Sequence, residues 1–426
     1  MWKFLLLRNW KHGRFGVRWM QTLPKRIEIL GQSYETDEMT SVTSTILSCV
    51  PRKLHLQSQH PLGIIKNRII HHFNKTYTTR NGNTLFASID DVSPVVTVKQ
   101  NFESLLIPPD HPSRSKIDNY YLNSTHMLRS HTSAHEKDFM RLGFDRYLLT
   151  GDVYRRDEID SNHYPVFHQM EGVRLFVEEE LFKTSEDTQL KLFNSPSDME
   201  ETSENQAEHT ADAAKMLEVS LKSCLTKLVQ YLFGENIQTR WVNCYFPFTH
   251  PSYELEIKFR GEWLEVLGSG ILRQDILKSS GVNHKAGWAF GLGLDRLAML
   301  LFQIPDIRLL WSEDPRFLDQ FKAVPKTDIK FTPFSKYPAC YKDISFWLQD
   351  SFTPNDFYEV VRSICGNLVE EVKLIDEFRS PDDDRVSHCY RILYRSMDKT
   401  FTNDEINLIH NKVADSVSTQ LSVTLR

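Results

Sequence analysis

The sequence predicts an α+β protein of two or three domains that ends in a βαββαβ unit. Three observations lead to this prediction. The size and composition, 426 residues with 40% hydrophobic and 25% charged side chains, are those of an ordinary globular chain. Residues 148–177 have the pattern of two strands joined by a polar loop, and the order of elements beyond residue 325 is that of a split βαβ fold.

Proline marks the predicted boundary near residue 325. The pattern between residues 304 and 333 is interrupted, as in a linker, by Pro305, Pro315, Pro325 and Pro333. Beyond the boundary, four segments have strand character, namely ACYKDISFWL, VKLIDEF, VSHCYRILYRS and SVTLR. Helices are predicted after the first and third of these segments, where Thr353 and Thr402 are suitable N-caps.

Composition excludes several classes of protein. No apolar run approaches the roughly 20 residues of a membrane-spanning helix, and the formal net charge is -5. The scattered cysteines contain no C-x-x-C pair and are typical of reduced thiols inside a cell: Cys49, Cys224, Cys244, Cys340, Cys365 and Cys389. The polar, acidic segment 185–210 is interpreted as a solvated helix-loop or insertion without chemistry.

The N-terminal segment is basic and lacks acids before Glu28. Its cations are Lys3, Arg8, Lys11, Arg14, Arg18, Lys25 and Arg26. Acid-free, amphipathic and arginine-containing starts are typical of organelle transit peptides, so residues 1–26 are predicted to be a mitochondrial presequence. The alternative is a basic arm that contacts RNA.

The predicted hairpin at 148–177 carries polar side chains where a buried strand would not. In its second strand Phe167, Gln169 and Glu171 alternate onto one face, so two oxygens can accept hydrogen bonds from one ammonium group. Phe167 offers a flat surface to a base. In its first strand Arg155 and Asp157 share a face, which provides a guanidinium for phosphate; a salt-bridged surface is the alternative.

The segment 287–302 predicts a tight strand-to-helix turn at Gly291 and Gly293. Arg296 lies in the first turn of the helix, where the macrodipole disfavours a cation by up to about 1 kcal/mol. Such a position indicates that an anion, for example a nucleotide phosphate, binds there. A dinucleotide-binding fold is the alternative for G-x-G, although its third glycine is missing.

Two further segments contain candidate binding residues. Phe246 and Phe248 flank a proline in a predicted extended stretch, where their rings could sandwich an aromatic ligand or simply belong to the core. Glu265, before Gly268 and Gly270, is a candidate ligand for a magnesium-bound nucleotide. The segment 127–140 could orient a carboxylate or amino group, or be an unremarkable turn, through His131, Ser133 and Glu136.

Together these segments resemble the class II aminoacyl-tRNA synthetases, specifically the phenylalanyl enzymes of mitochondrial type. YRRD (154–157) resembles the second motif of that class and GLGLDR (291–296) its third motif. FHQMEG (167–172) and YFPF (245–248) resemble the phenylalanine pocket. The resemblance implies an antiparallel sheet flanked by helices over residues 50–325, followed by a ferredoxin-like anticodon-binding domain at 326–426.

The resemblance also implies roles for individual residues. It places at ATP and its Mg²⁺ the side chains of Arg155, Asp157, His163, Phe167, Glu265 and Arg296, of which Arg155, His163 and Arg296 would be catalytic and Glu265 would bind the metal. It places at phenylalanine the side chains of His131, Ser133, Glu136, Gln169, Glu171, Phe246, Phe248, Ala289 and Phe290. The chain departs from the family in segment 185–210 and in Asp295, where Glu is also common.

The implied activity is ATP-dependent attachment of L-phenylalanine to tRNA(Phe) through a phenylalanyl-adenylate, by a monomer in the mitochondrial matrix. The tRNA would be contacted at its acceptor end and its anticodon. Because the C-terminal part has no basic excess, local patches would bind the anticodon, with Arg379, Arg391, Arg395 and Lys399 as candidates. The alternatives are a relative that activates another acid or has lost catalysis, and a nonenzymatic RNA-binding scaffold.

Overall fold

The computed structural model describes residues 24–183, 189–322 and 329–426. The predicted presequence lies outside these residues except for positions 24–26, of which Arg26 begins the first strand. In the described part of the chain, every helix is too short or too polar to cross a bilayer.

The N-terminal part, up to residue 322, mixes strands with helices and short 3-10 turns. Its strands are β1 Arg26–Ile29, β2 Gln32–Glu35, β3 Ala87–Ile89, β4 Val95–Thr97, β5 His126–Leu128, β6 Arg146–Tyr154, β7 Val166–Phe176, β8 Thr239–Phe246, β9 Thr249–Phe259, β10 Glu262–Leu272 and β11 Ala286–Gly293. Its helices are α1 Ser44–Cys49, α2 Pro61–Thr76, α3 Val98–Asn101, α4 Glu136–Arg141, α5 Glu178–Leu181, α6 Ala211–Phe233, α7 Gln274–Ser279, α8 Leu294–Phe302 and α9 Pro315–Leu318.

A seven-stranded sheet forms the centre of this part, in the order β3-β6-β7-β11-β10-β9-β8. Every neighbouring pair is antiparallel except β3 and β6. The expected antiparallel sheet flanked by helices is therefore confirmed. The dinucleotide-fold alternative fails, because Gly291 and Gly293 lie in a strand with antiparallel neighbours instead of a parallel βαβ unit.

Local sequence explains the helices that cover the sheet. Pro61 opens α2 after an N-cap at His60, and Ile65, Ile69 and Phe73 recur at helical spacing with 0% exposure. The long helix α6 is capped by Thr210 and buries an apolar stripe from Ala213 to Leu232. These helices close the core on one face of the sheet, and the other face remains available for a ligand.

The C-terminal part is the predicted βαββαβ unit. Its elements are β12 Cys340–Trp347, α10 Pro354–Cys365, β13 Val369–Arg379, β14 Val386–Tyr394, α11 Asn403–Gln420 and β15 Thr424–Leu425. The four strands have the order β13-β14-β12-β15. Thr353 and Thr402 cap the two helices as predicted, and Glu405 completes the capping box.

The two parts contact each other through buried charges. Glu359 of α10 accepts hydrogen bonds from Tyr120 (2.8 Å) and Arg362 (2.9 Å). Arg156, just after β6, donates to Asp356 at 2.8 Å. Arg362 also donates to the main-chain oxygen of Asp157 at 2.8 Å. The loop after β6 is therefore held by the C-terminal part.

The described portion of the acidic segment, residues 189–210, is more ordered than a solvated insertion. Gln206 is 1% exposed and donates to the main-chain oxygens of His250 and Leu272 at 2.9 Å each. His209, also 1% exposed, bonds to Gln274 at 3.1 Å. The prediction of a purely solvated segment is wrong at these positions, because the loop packs against the ends of β9 and β10.

Candidate functional site

The candidate site is a cleft over the middle of the sheet, on the face opposite α2 and α6. Gly291 of β11 pairs with Glu171 of β7 on one side and with Gly268 of β10 on the other. A side chain at Gly291 would meet nothing within 4 Å, so this glycine leaves open space above the sheet. The long strands carry flanking side chains to the rim of that space.

The space between the atoms of the cleft, including its open mouth, amounts to about 380 Å³. It is lined by Thr132, Ser133, Glu136, Gln169, Glu171, Phe246, Phe248, Thr249, Gly268, Ser269, Ala289, Phe290 and Gly291. Eight of the nine predicted phenylalanine-site residues lie here; the ninth, His131, lies behind the lining. The sequence reasoning missed Thr132, Thr249 and Ser269, although the run of small residues at 268–270 was a signal for an open strand.

One end of the cleft is polar. Oε2 of Glu171 accepts hydrogen bonds from the hydroxyls of Ser133 (2.6 Å) and Thr132 (3.0 Å). The side-chain oxygen of Gln169 accepts one from the Thr132 backbone at 3.3 Å. Burial raises the pKa of Glu171, and the hydrogen bonds from its neighbours oppose that rise. A carboxylate and an amide oxygen therefore lie together at a site that can accept the protons of an ammonium group.

The other end of the cleft is aromatic, but its geometry differs from the prediction. Pro247 and Phe248 form the tight turn between β8 and β9, so the expected extended stretch is wrong. The rings of Phe246 and Phe248 are nearly parallel, with centroids 5.8 Å apart and planes 8° apart. A ring inserted between them would need about 7 Å, twice the ordinary carbon contact. The two rings therefore form one wall and cannot sandwich a third.

Ala289 and Phe290 are neighbours in β11, and they face opposite sides of the sheet. Ala289 packs in the same cluster as Phe246 and Phe248. The ring of Phe290 instead packs against Phe73 of α2, with centroids 5.9 Å apart. The expectation that the Phe290 ring walls the pocket is wrong, because successive strand residues alternate in direction. Only its backbone borders the cleft.

His131 lies behind the lining of the cleft. Its Nε2 donates to the main-chain oxygen of Asn101 at 3.0 Å, and the residue is 4% exposed. Burial and the nearby charge of Arg155 lower its pKa to about 3. His131 is therefore neutral and acts as a support for the segment that carries Thr132 and Ser133.

Arg155 directly follows β6, and its backbone N–H donates to the main-chain oxygen of Pro165, just before β7 begins. Its Nε donates to the main-chain oxygen of Ser130 at 2.7 Å, and its guanidinium lies over the ring of Phe167, 5.2 Å from the centroid. Phe167 can thus offer only its other face to a base. Burial lowers the pKa of Arg155 to about 10, which leaves it charged at neutral pH.

The predicted placement of Arg155 and Asp157 on one strand is wrong, because β6 ends at Tyr154. Both residues belong to the loop 155–165. The Asp157 carboxylate accepts from the Glu158 backbone at 2.9 Å. Burial raises the pKa of Asp157, and the charges of His163 and Arg155 partly oppose that rise. The acid therefore still lies within electrostatic range of the guanidinium.

His163 lies in the same loop, among carboxylates. Its Nδ1 bonds to Asp160 at 2.8 Å, and this hydrogen bond raises its pKa. Ligand atoms of Asp157, Glu158 and His163 approach one another within 4.8 Å. Asp160 already occupies Nδ1 of His163, and the neighbouring acids favour the charged form of the histidine.

Arg296 is the third residue of α8 and is half-buried. Within the described ranges it forms no hydrogen bond or ion pair, so its charge is available to an anion. The neighbouring Asp295, 1% exposed, accepts a hydrogen bond from the His168 backbone at 2.6 Å. This bond, which the sequence reasoning missed, fixes the start of α8 against β7 and thereby the position of Arg296.

Glu265 does not line the cleft. It lies in β10 beside a bulge, opposite Glu256 of β9. Glu254, two residues before Glu256, shares that face of the strand, and both are under 10% exposed. Burial raises the pKa of Cys244, and the charges of Glu254 and Glu265 raise it further, which places both acids near that thiol. A row of carboxylates therefore extends along the sheet from the cleft.

Comparison with known proteins covers nearly the whole chain. The family described as "tRNA synthetases class II core domain (F)" matches residues 50–193 and 205–321, and the "Ferredoxin-fold anticodon binding domain" matches residues 335–426. A relative named phenylalanine–tRNA ligase, mitochondrial, from Mus musculus is 54% identical over 400 residues, covering 93% of this chain and 88% of the relative. One of the same name from Rattus norvegicus is 51% identical, covering 95% and 90%.

Proposed function

We propose roles for the individual residues of the site from the premise that this chain belongs to the class II aminoacyl-tRNA synthetases of phenylalanyl type. The chain is a phenylalanine–tRNA ligase that uses ATP and works in mitochondrial translation. Its C-terminal domain is an anticodon-binding domain of ferredoxin fold. The alternatives of a nonenzymatic scaffold and of a relative with another substrate are therefore set aside.

The observation that carries the assignment of the site is a cleft with one anionic end and one aromatic end. We assign the ammonium group of phenylalanine to Glu171 and Gln169, and its ring to the wall of Phe246 and Phe248. The ring would lie against this wall in offset or edge contact, since the gap between the two rings is too small to admit it.

We assign the triphosphate of ATP to Arg155 and Arg296 and its base to Phe167. Support comes from the guanidinium of Arg296, which pairs with no acid in the described residues, and from that of Arg155, which remains charged. The hydrogen bond to Asp160 raises the pKa of His163, which favours the positively charged form of this side chain in the same loop. Both the loop and the first turn of α8 lie next to β7, so the two arginines can act on one triphosphate.

We propose that Mg²⁺ accompanies ATP and is bound by Glu265 together with Glu254. Carboxylate oxygens are hard ligands of the kind that Mg²⁺ prefers, and the two acids lie on adjacent strands near Cys244. When bound, the ion would neutralise charge on the phosphates.

In the proposed first step, the phenylalanine carboxylate attacks the α-phosphorus of ATP and releases pyrophosphate. No protein nucleophile is required, since the substrate supplies it. The protein contributes orientation, through the bonds that hold the ammonium, and neutralisation of charge in the transition state, through Arg155 and Arg296. Transfer of phenylalanine to the terminal ribose of the tRNA follows.

An aromatic patch on the C-terminal sheet is a candidate for binding the anticodon, beside the basic residues expected from the sequence. The four candidates Arg379, Arg391, Arg395 and Lys399 all lie in ion pairs with acids of their own domain. Trp347 and Phe378 instead lie side by side on the sheet, with centroids 6.0 Å apart. The guanidinium of Arg385, which also pairs with Asp383, lies 4.5 Å over the first ring, and that of Arg426 lies 4.3 Å over the second.

We propose that Trp347 and Phe378, with their two arginines, stack on unpaired bases of the anticodon. Trp347→Ala should weaken tRNA binding while leaving pyrophosphate exchange intact. Tyr358→Ala, which removes an aromatic side chain from helix α10 of the same domain, is the matched control. Equal tRNA affinity of Trp347→Ala and the wild type would disprove the assignment.

Amino-acid-dependent ATP–pyrophosphate exchange across all twenty amino acids tests the proposed site. Phenylalanine should support exchange far better than any other amino acid. Exchange that is highest with a polar or charged amino acid would refute the assignment of the aromatic wall.

We further propose a monomer in the mitochondrial matrix, with a presequence at residues 1–26, a catalytic domain at 50–325 and an anticodon-binding domain at 326–426. Having its own anticodon-binding domain removes one need for a partner subunit. Imaging of a fusion that carries residues 1–40 tests the presequence, and diffuse cytosolic signal would contradict it. Light scattering of the purified enzyme tests the monomer.

A further inference from the structure

The polar end of the cleft contains two carboxyl groups. Glu136 is the first residue of α4 and Glu171 lies in β7; each is 1% exposed and each lines the cleft. The two groups lie within hydrogen-bonding reach of each other. Within the described part of the chain, neither forms an ion pair with a basic side chain.

The hydrogen-bond donors around the pair are unevenly distributed. Both hydroxyl donors, from Ser133 and Thr132, go to Oε2 of Glu171. Oε1 of Glu171 and Oε2 of Glu136 are buried, and among the described residues no group donates to either. Two neighbouring acceptors without a donor can form a hydrogen bond only if one of them carries a proton.

The surrounding groups do not supply a compensating charge. Tyr147 of β6, 0% exposed, faces both acids and is an uncharged phenol. His131 and His135 precede Glu136 in the chain, but burial and the charges of Arg155 and Arg129 lower the pKa of each to about 3. Gln169, Thr249 and Ser269 complete the polar lining and are neutral. Two negative charges here would be buried side by side without a cation.

We propose that Glu136 retains a proton and donates a hydrogen bond to Glu171, so that the ammonium site presents one carboxylate, with or without substrate. Oε2 of Glu171 is then held by two hydroxyls and Oε1 by the Glu136 carboxyl. The inference rests on the assignment of Glu171 to the ammonium group. Glu136 is a positioning residue, because it acts on the substrate through Glu171.

The electrostatics agree with this arrangement. Burial raises the pKa of Glu136 well above its ordinary value, and the charge of Glu171 raises it further. A single carboxylate matches a single ammonium, so the occupied site is neutral at this end. Two carboxylates around one ammonium would leave a buried net negative charge, which is costly in a site that excludes water.

The test compares KM for phenylalanine in pyrophosphate exchange among three variants. Glu136→Gln keeps a donor to Glu171 and should raise KM only about 3- to 10-fold, whereas Glu136→Ala, which removes the donor, should raise it more. Glu171→Gln, which removes the charge, should raise KM about 100-fold or more. An increase in Glu136→Gln equal to that in Glu171→Gln would overturn the inference, since it would mean that Glu136 binds the ammonium as an anion.

The pH dependence adds a readout that a purely structural role would not change. The ratio of KM between Glu136→Gln and the wild type should stay constant from about pH 4 to 8, whereas a carboxyl that ionises as in water, near pH 4.3, would make the ratio change at the acidic end of that range. A ratio that changes across this range would contradict retention of the proton.

The wild-type enzyme provides a second route should Glu136→Gln fail to fold. Infrared spectra at neutral pH should contain the carbonyl band of a protonated carboxyl group that persists when phenylalanine is added. Calorimetry in two buffers of different ionisation enthalpy should show no proton released on binding. Loss of the band with release of one proton would overturn the inference. Exchange by the wild-type enzyme with phenylalanine tests the proposed function separately, because the inference about Glu136 concerns the ratios of KM among the variants and the proton of the wild-type carboxyl.

Discussion

The bond from Ser133 to Glu171 allows a quantitative prediction. The Ser133 hydroxyl donates to Oε2 of Glu171 at 2.6 Å, the shorter of two such bonds, inside a cleft where Glu171 is 1% exposed. A hydrogen bond to a charged group contributes about 1.5–3 kcal/mol. Since about 1.4 kcal/mol corresponds to a tenfold change, Ser133→Ala should raise KM for phenylalanine roughly 10- to 100-fold.

The same substitution should change the pH dependence in a defined direction. Burial raises the pKa of Glu171, and the hydrogen bond from Ser133 is one of the interactions that lower it. Without that bond the pKa rises further, so the carboxylate is protonated at higher pH. KM should therefore increase more steeply in Ser133→Ala than in the wild type as the pH falls toward 5.

Pyrophosphate exchange at several phenylalanine concentrations measures the effect, and Ser280→Ala is the matched control. Ser280 is also buried, but it donates to an uncharged acceptor, the main-chain oxygen of Ile276. The control should leave KM unchanged. If Ser133→Ala behaved like the control, Glu171 would not be the anion that binds the ammonium, and the assignment of the polar end would be wrong.

Three further predictions follow from the same geometry. Arg155→Ala and Arg296→Ala should each reduce the rate of pyrophosphate exchange by about 100-fold or more. The melting temperature of Arg296→Ala should equal that of the wild type. A wild-type exchange rate in either variant would show that the substituted arginine does not act at the nucleotide. Ala289→Gly should admit para-substituted phenylalanines, because it enlarges the cleft beside the aromatic wall, and an unchanged substrate range would exclude Ala289 from the base of the pocket. Glu359→Gln should lower the free energy of unfolding by about 3 kcal/mol at neutral pH, since it leaves the buried Arg362 without its acid. Burial favours the neutral form of Glu359, but Arg362 and Arg156 hold the pKa of Glu359 below its ordinary value. The stability that the carboxylate contributes is therefore present above about pH 4.5 and is lost as the pH falls further. A difference in melting temperature between Glu359→Gln and the wild type that does not depend on pH would contradict this role of Glu359.

Period-two alternation predicted the polar end of the cleft correctly. Gln169 and Glu171 share a face because they are two residues apart in a strand, and the structure places both at the cleft. The same rule shows why Phe290 was misassigned: it is adjacent to Ala289 and must face the other side. The C-terminal βαββαβ unit was also predictable, since its capping residues and alternating strands are local signals.

Long-range contacts were not predictable from the sequence. Nothing local to Asp295 indicates that it accepts a bond from the backbone of His168, 127 residues away. The pairing of Arg391 with Asp343 across the C-terminal sheet likewise depends on strand register, so a basic residue that is a candidate for binding RNA already forms an ion pair with an acid. Sequence patterns identify which face a residue occupies, but its partner on that face is set by the tertiary fold.

Two consecutive arginines link the catalytic site to the anticodon-binding domain. Arg155 lies over Phe167, at the site proposed for the nucleotide, whereas Arg156 pairs with Asp356 of α10 at 2.8 Å. Arg362 of the same helix also holds the main chain at Asp157. Because adjacent residues of one loop are fixed by different domains, a change that weakens the second contact must also alter the freedom of the first. The coupling between the two contacts can be measured by comparing the rate of pyrophosphate exchange of residues 1–330 with that of the whole chain. Equal rates would show that the loop needs no support from α10.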